Sequence, residues 1–145
     1  MIEKLNTITL SGQTFPFKCD NLVLEELQDE FGTLDDFEKK LNGWVPVLDE
    51  NGVHKKNDKG EGLFKVVEPS MKAINFALPL MIREGVEIAN ETADEKITLP
   101  SDKEILRLIE QPLPVSKEIY AEYLNCFRVK NAKTTQGKRQ AKKTG

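Results

Sequence analysis

Residues 15–43 constrain the fold more than any other stretch, because their apolar, capping and glycine residues follow the order of a strand and two helices. Phe15 and Phe17 lie on one face if the segment is extended, since side chains alternate across a strand with a period of two. Asp20 or Asn21 can then cap a helix by accepting a hydrogen bond from a first-turn N–H. The buried stripe of this helix is predicted to comprise Leu24, Leu27 and Phe31.

A glycine corner and a second helix are predicted to follow. Gly32 stands where helices commonly end at a positive φ, and Thr33 can cap the next helix, with Asp36 three residues on as in a capping box. Gly43 ends this second helix. Its apolar stripe is predicted to comprise Leu34, Phe37 and Leu41.

Two β-hairpins are predicted around this pair of helices. Residues 3–9 alternate enough for a strand with Leu5 and Ile8 inward, and residues 11–13 can turn the chain into a strand that ends at Phe17. A second, short hairpin is predicted around residues 44–67, where two β-prone runs flank a polar loop. We expect the loop, residues 49–62, to be mobile, because it can bury too little apolar surface to offset the entropy of ordering.

The most apolar segment begins after Ser70, which can cap a long central helix. This helix is apolar on nearly every side, so it is either buried in the core or partly covered by a partner, and the sequence leaves both open. Pro79 removes one backbone hydrogen bond and clashes with the preceding turn. We therefore predict a kink or break between Asn75 and Leu78.

Two further helices are predicted in the C-terminal part of the chain. Residues 101–104 form a capping box before a short helix, and Pro112 and Pro114 predict an extended linker after it. Ser116 is then placed to cap the last helix. The fold class is therefore α+β and mainly helical, with an N-terminal antiparallel β-hairpin, about five helices and a short hairpin at residues 44–67. Residues 1–129 are predicted to form a single globular domain.

The net charge of −3 hides an asymmetry along the chain. Residues 1–129 carry 15 basic and 24 acidic side chains, a net charge of −9, whereas residues 130–145 carry six basic and no acidic side chains, a net charge of +6. The latter segment lacks apolar periodicity, and we expect a disordered basic tail. Its basic pairs could neutralise phosphates, which is the basis of an alternative function as a nucleic-acid-binding accessory protein. The residues concerned are Lys138, Arg139, Lys142 and Lys143.

The chain offers little from which an active site could be built. Its single histidine, His54, lies in the polar loop, where no third group can orient it as nucleophilic catalysis requires. The two cysteines, Cys19 and Cys126, form no CxxC pair and are expected to be reduced apolar fillers in a cytosolic protein. No apolar run approaches the length of about 20 residues that spans a bilayer. We expect no enzymatic activity, no metal, no cofactor and no membrane contact.

The pattern of residues 24–37, LEELQDEFGTLDDF, together with the hairpin before it and the apolar helix after it, resembles the tail assembly chaperones of long-tailed bacteriophages and their prophages. The resemblance covers most of residues 3–129, and its motifs are core and capping positions. The chain departs from the family in its insertion at residues 44–69 and in Pro79 within the central helix.

The resemblance implies a non-enzymatic assembly factor in the cytoplasm of a bacterial host. Such a protein covers the tape measure protein before the tail tube polymerises around it, so the implied partners are the tape measure protein and the tail tube protein. The implied binding surface lies on the central helix and includes Phe76, Leu80 and Ile88. Nucleic acid is not expected as a main partner, and a homo-oligomer is left open.

Overall fold

The computed structural model describes residues 5–127 and contains five helices and two separate two-stranded antiparallel sheets within them. The α+β, mainly helical fold class is thereby confirmed. In chain order the elements are β1 (Asn6–Leu10), β2 (Gln13–Phe17), α1 (Asn21–Phe31), α2 (Leu34–Asn42), β3 (Trp44–Pro46), β4 (Phe64–Val66), α3 (Met71–Thr92), α4 (Asp102–Arg107) and α5 (residues 112–127).

The first hairpin joins β1 to β2 through a two-residue turn at Ser11 and Gly12. Both turn residues have positive φ, 48° and 78°, which suits the right-handed twist of a hairpin. The inward residues of β1 are Ile8 and Leu10, whereas Leu5 is half-buried at the start of the strand. The inward residues of β2 are Phe15 and Phe17, as predicted.

The corner between α1 and α2 is built by the residues predicted for it. The Asp20 carboxylate accepts hydrogen bonds from the N–H groups of α1's first turn, and Thr33 Oγ1 accepts one from Asp36 N at 3.0 Å. Gly32 and Gly43 end the two helices at φ values of 90° and 69°. The buried stripes differ slightly from the prediction: Val23 is buried in place of Leu24, and Leu34 is half-buried.

Helix α3 contributes more buried residues to the core than any other element and continues through Pro79 without interruption, so the predicted break is wrong, while a kink stays a prediction. Pro79 is itself buried, as are Ala77, Leu78, Met81 and Ile82 around it. At Gly85 the helix meets β2 backbone to backbone. A Cβ atom there would lie 2.5 Å from Phe17 N and from Pro16 C, so only glycine permits this approach.

The C-terminal part of the chain differs from the prediction at the start of its last helix. The capping box at Ser101 and Glu104 is present, but the predicted linker is not: α5 already begins at residue 112. Pro112 and Pro114 fall in its first turn, where the missing N–H groups have no helical partner to lose. Ser116 is therefore not a cap. It is buried, and its hydroxyl donates to Leu41 O at 2.6 Å, joining α5 to the end of α2.

The second hairpin is longer than its two named strands. Isolated bridges pair Leu48 with His54 and Lys56 with Gly62, so residues 49–62 form hydrogen-bonded turns rather than an irregular loop. The Asp49 carboxylate organises the first of these turns by accepting from two backbone N–H groups. The mobility expected of this segment remains a prediction.

One continuous core cluster contains residues from both strands of the first hairpin and from all five helices. The first hairpin and the five helices thus share one core, and the single domain stays a prediction. The predicted domain boundary at residue 129 and the basic tail lie outside the described residues.

Candidate partner-binding surfaces

The three residues predicted to bind a partner share one stripe of α3. Phe76, Leu80 and Ile88 lie along one i+4 row of the helix, and this row winds around α3 so that Ile88 is rotated by about 120° from Phe76. All three are half-buried. The ring of Phe76 packs edge-on against Phe31 with centroids 5.7 Å apart, and Phe76 and Leu80 both pack against the core cluster, to which Ile88 does not belong. The stripe therefore borders the core at one end and faces away from it at the other.

An acidic residue interrupts this stripe at its third position, between Leu80 and Ile88. The Glu84 side chain is hydrogen-bonded to the carboxyl group of Asp20, and this contact, together with desolvation and the nearby charges of Glu87 and Glu91, raises the pKa of Glu84 to about 7. At neutral pH the Asp20–Glu84 pair therefore holds a proton for part of the time. No local pattern in the sequence indicates this pair, because Asp20 reaches α3 only through the tertiary fold.

A second apolar surface, which sequence analysis did not assign to partner binding, lies on the second hairpin and the start of α3. Seven of the eleven large apolar side chains that are exposed fall within residues 48–71, which makes this the most apolar part of the described surface. They are Leu48, Val53, Leu63, Phe64, Val66, Val67 and Met71. The β-prone runs at 44–48 and 63–67 were the available signal, since the polar turns between them cannot cover their side chains.

The base of the second hairpin is fixed to the helices. Trp44 packs edge-on against Tyr120 of α5, with ring centroids 5.8 Å apart. Gly43 leaves no room for a side chain, because the backbone of Val67 and Glu68 fills the position that a Cβ atom would take. The Ser70 N–H donates to Lys40 O at 2.8 Å, which ties the exit of the hairpin to α2. The base of this surface is therefore joined to α2 and α5 by side-chain and backbone contacts.

His54 has a structural place within this hairpin. Its Nε2 atom lies 2.8 Å from Leu63 O, and its ring packs edge-on against Phe64 with centroids 5.0 Å apart. The ring also covers Gly62, where any side chain would collide with it. These contacts are to backbone and aromatic groups, and they bring no nucleophile to the imidazole.

The buried polar groups join distant parts of the chain. Glu122 is 5% exposed, and its carboxylate accepts from Asn6 Nδ2 at 2.6 Å and from Cys19 N at 2.9 Å. Cys19 and Cys126 are both free thiols, and their side chains are in hydrogen-bonding contact despite their separation in sequence. Burial, followed by the neighbouring Cys126 and Glu122, raises the pKa of the Cys19 thiol far above its usual range, so this thiol stays protonated.

The remaining predictions concern absences and the tail. Residues 5–127 contain no group of three or more His, Cys, Asp or Glu side chains placed to hold a metal ion. Over the same residues, no helix combines the length and apolar character needed to cross a membrane. The basic residues of the alternative function, Lys138, Arg139, Lys142 and Lys143, lie outside the described residues.

Comparison with protein-family models, curated proteins and solved structures found no match to this chain.

Proposed function

We propose that this protein is a tail assembly chaperone of a long-tailed bacteriophage or prophage, which binds the tape measure protein in the host cytoplasm and assists assembly of the tail tube. The proposal starts from the motif in residues 24–37 and from the hairpin, glycine corner and central helix around it. The observation that carries it is the half-buried apolar stripe of Phe76, Leu80 and Ile88 on α3.

This stripe has the physical character that the proposed task requires. A tape measure protein presents long helices with apolar faces, and an amphipathic helix binds by laying such a face along an apolar surface. The chaperone must also release its client to the tail tube protein, so the contact has to be limited in area. A stripe of three half-buried apolar residues interrupted by Glu84 offers modest affinity rather than a permanent interface.

Co-expression with a tape measure fragment tests the proposal. The fragment should co-purify with the intact chain, and Ile88→Asp should reduce its recovery at least tenfold, because a charge placed in an apolar contact must be desolvated. Leu113→Asp is the matched control: Leu113 is 54% exposed on α5, a different helix from the stripe, and its change should leave recovery unaltered. Absence of any complex at low salt with a folded protein would overturn the proposal.

The gene neighbourhood provides an independent test. A tape measure gene encodes a very long, largely helical protein, and we expect such a gene next to the one encoding this chain. A neighbourhood without tail genes would count against the proposed function even if a helical peptide bound to α3.

A further inference from the structure

The outer edge of β4 is the open edge of the second sheet. Strands β3 and β4 pair with Val45 opposite Lys65, and the flanking bonds run from Val67 N to Gly43 O at 2.7 Å and from Val47 N to Leu63 O at 2.9 Å. In an antiparallel ladder, alternate residues direct their backbone groups to the partner strand. The odd-numbered residues of β4 therefore face β3.

The even-numbered residues of β4 direct their backbone groups away from β3. These residues are Phe64 and Val66, and within residues 5–127 neither makes a backbone hydrogen bond to another element. The opposite edge of the sheet is different, because Pro46 has no N–H to offer. The hairpin thus presents one edge with free donors and acceptors and one edge that is blocked.

The side chains of β4 give this edge a specific chemistry. Phe64 and Val66 are 45% and 72% exposed and lie on one face, whereas Lys65 points to the other. Lys65 is exposed and has no ion pair within the described residues, in contrast to Lys39, whose ammonium group lies 2.7 Å from Asp35. A lysine on a short edge strand discourages indiscriminate pairing, so a matching strand must supply an acidic residue at this point.

We propose that the outer edge of β4 binds an extended peptide segment of a partner protein, which adds a third strand beside Phe64–Val66 and sets an acidic residue opposite Lys65 between two apolar residues. A helix cannot satisfy this edge, because its own backbone groups are already paired. An extended chain satisfies both the backbone groups and the alternating side chains. This site contains none of the three α3 residues and does not depend on the proposed function.

The first test uses a synthetic peptide and amide exchange. The probe is a nine-residue acetylated and amidated peptide with Val-Glu-Val at its centre and Thr and Ser on both sides. A saturating concentration of this peptide should slow hydrogen exchange at the amides of Phe64 and Val66 at least tenfold. Exchange at the amides of β1 and β2 should stay unchanged. Unchanged exchange at both β4 amides would overturn the proposal.

Two variants separate edge pairing from general apolar contact. Val66→Pro removes an outward N–H that β3 does not use, and it should weaken peptide binding at least tenfold, whereas Val66→Thr keeps the N–H and the branched shape and should bind within about threefold of the unchanged chain. If the proline variant binds the peptide as tightly as the wild-type protein and has a similar melting temperature, the proposal is overturned.

A charge exchange keeps the test decisive if the proline variant fails to fold. The Lys65→Glu variant should bind the Val-Glu-Val peptide more weakly and a Val-Lys-Val peptide of the same length more tightly. Opposite charges across a strand pair are favourable, and like charges are not. Equal affinity of both proteins for both peptides would contradict the proposed register. Slowed exchange at Phe64 and Val66 that depends on protein concentration without peptide would instead assign the edge to a second copy of the chain and overturn the proposal.

Discussion

The two hairpins of this protein have the same topology and opposite surroundings. In the first, β2 lies backbone to backbone against α3 at Gly85, and the inward side chains of both strands are buried. In the second, only the base is fixed, by Gly43 and Trp44, and every residue of β4 is exposed. An isolated two-stranded hairpin is marginal in water, so each depends on what it contacts. The first hairpin therefore belongs to the core, and the second displays a surface.

The largest expected difference between the hairpins comes from shortening one apolar side chain in each. Ile8→Ala should lower the free energy of unfolding by about 3 kcal/mol, because Ile8 is 1% exposed and its loss leaves a cavity. Val66→Ala should lower it by less than about 0.5 kcal/mol, because Val66 faces water. Urea unfolding of the two variants measures both. Losses of similar size would contradict the division into core and surface.

Replacing Gly85 or Gly43 with alanine tests which hairpin supports the fold, because each glycine lies against the backbone of one hairpin. Gly85→Ala should cost about 2 kcal/mol, because the collision with Phe17 and Pro16 outweighs the better helix propensity of alanine. In Gly43→Ala the new Cβ atom collides with the backbone of Val67 instead. This variant should exchange its amides faster in the second hairpin and at an unchanged rate in β1 and β2. Denaturant unfolding and hydrogen exchange provide the measurements. Faster exchange in β1 after Gly43→Ala would show that the hairpins are coupled.

The Glu84 carboxyl group should make the stability of the protein depend on pH. Its pKa rises from an ordinary value of 4.5 to about 7 on folding, so the folded state holds the extra proton between these values. Stability should therefore fall as the pH rises from about 5 to about 7, and then level off. We expect a fall of about 1 kcal/mol, because Glu84 is partly exposed and water screens the Asp20 charge.

Thermal melting between pH 5 and pH 8 measures this dependence. Glu84→Gln should flatten the curve, whereas Glu87→Gln, which alters a minor contributor on the same helix, should largely preserve it. The same fall in both the unchanged chain and the Glu84 variant would assign the dependence to another group.

The smallest effect is expected from shortening the second hairpin. Replacing residues 48–62 with Asn-Gly joins Val47 and Leu63, whose backbones are already hydrogen-bonded, through a two-residue turn that suits a hairpin. The fold should lose less than about 1 kcal/mol, because the removed residues are almost all exposed. Thermal melting is the measurement, with Ile8→Ala as a destabilised reference. A loss as large as that of the reference would place the turns of residues 49–62 among the supports of the core.

The parts of the fold that depend on neighbouring residues could be predicted from the sequence. The caps at Asp20, Thr33 and Ser101 and the glycine ends of α1 and α2 involve groups within a few residues of each other, so local chemistry determines them. The shared stripe of Phe76 and Leu80 also follows from helical spacing alone. These predictions needed no knowledge of the tertiary fold.

The wrong predictions concern prolines, whose effect depends on their position within a helix. Pro112 and Pro114 look like a linker in the sequence, yet in a first helical turn their missing N–H groups cost nothing. Pro79 does cost a hydrogen bond, yet α3 continues through it with buried residues before and after. Sequence alone does not say where a helix begins when the residues before it lack a capping side chain.

The features of the candidate surfaces that were missed are tertiary. Asp20 and Glu84 are 64 positions apart in the sequence, and their pairing requires α1 to begin beside α3. Phe64 and Val66 are exposed because no helix within residues 5–127 covers them, whereas the similar residues Phe15 and Phe17 are covered. The period of a strand reveals which side chains share a face, but not which face meets the core.

The buried carboxylate of Glu122 has a consequence for co-translational folding. It holds Asn6 and the backbone of Cys19, so the first strand receives its final partner from a residue made 116 positions later. Translation proceeds from the N-terminus, so the first hairpin can pack against α3 before α5 is made, whereas its hydrogen bonds to Glu122 form only after the last helix has emerged. The native fold can therefore be completed only after α5 has been synthesised.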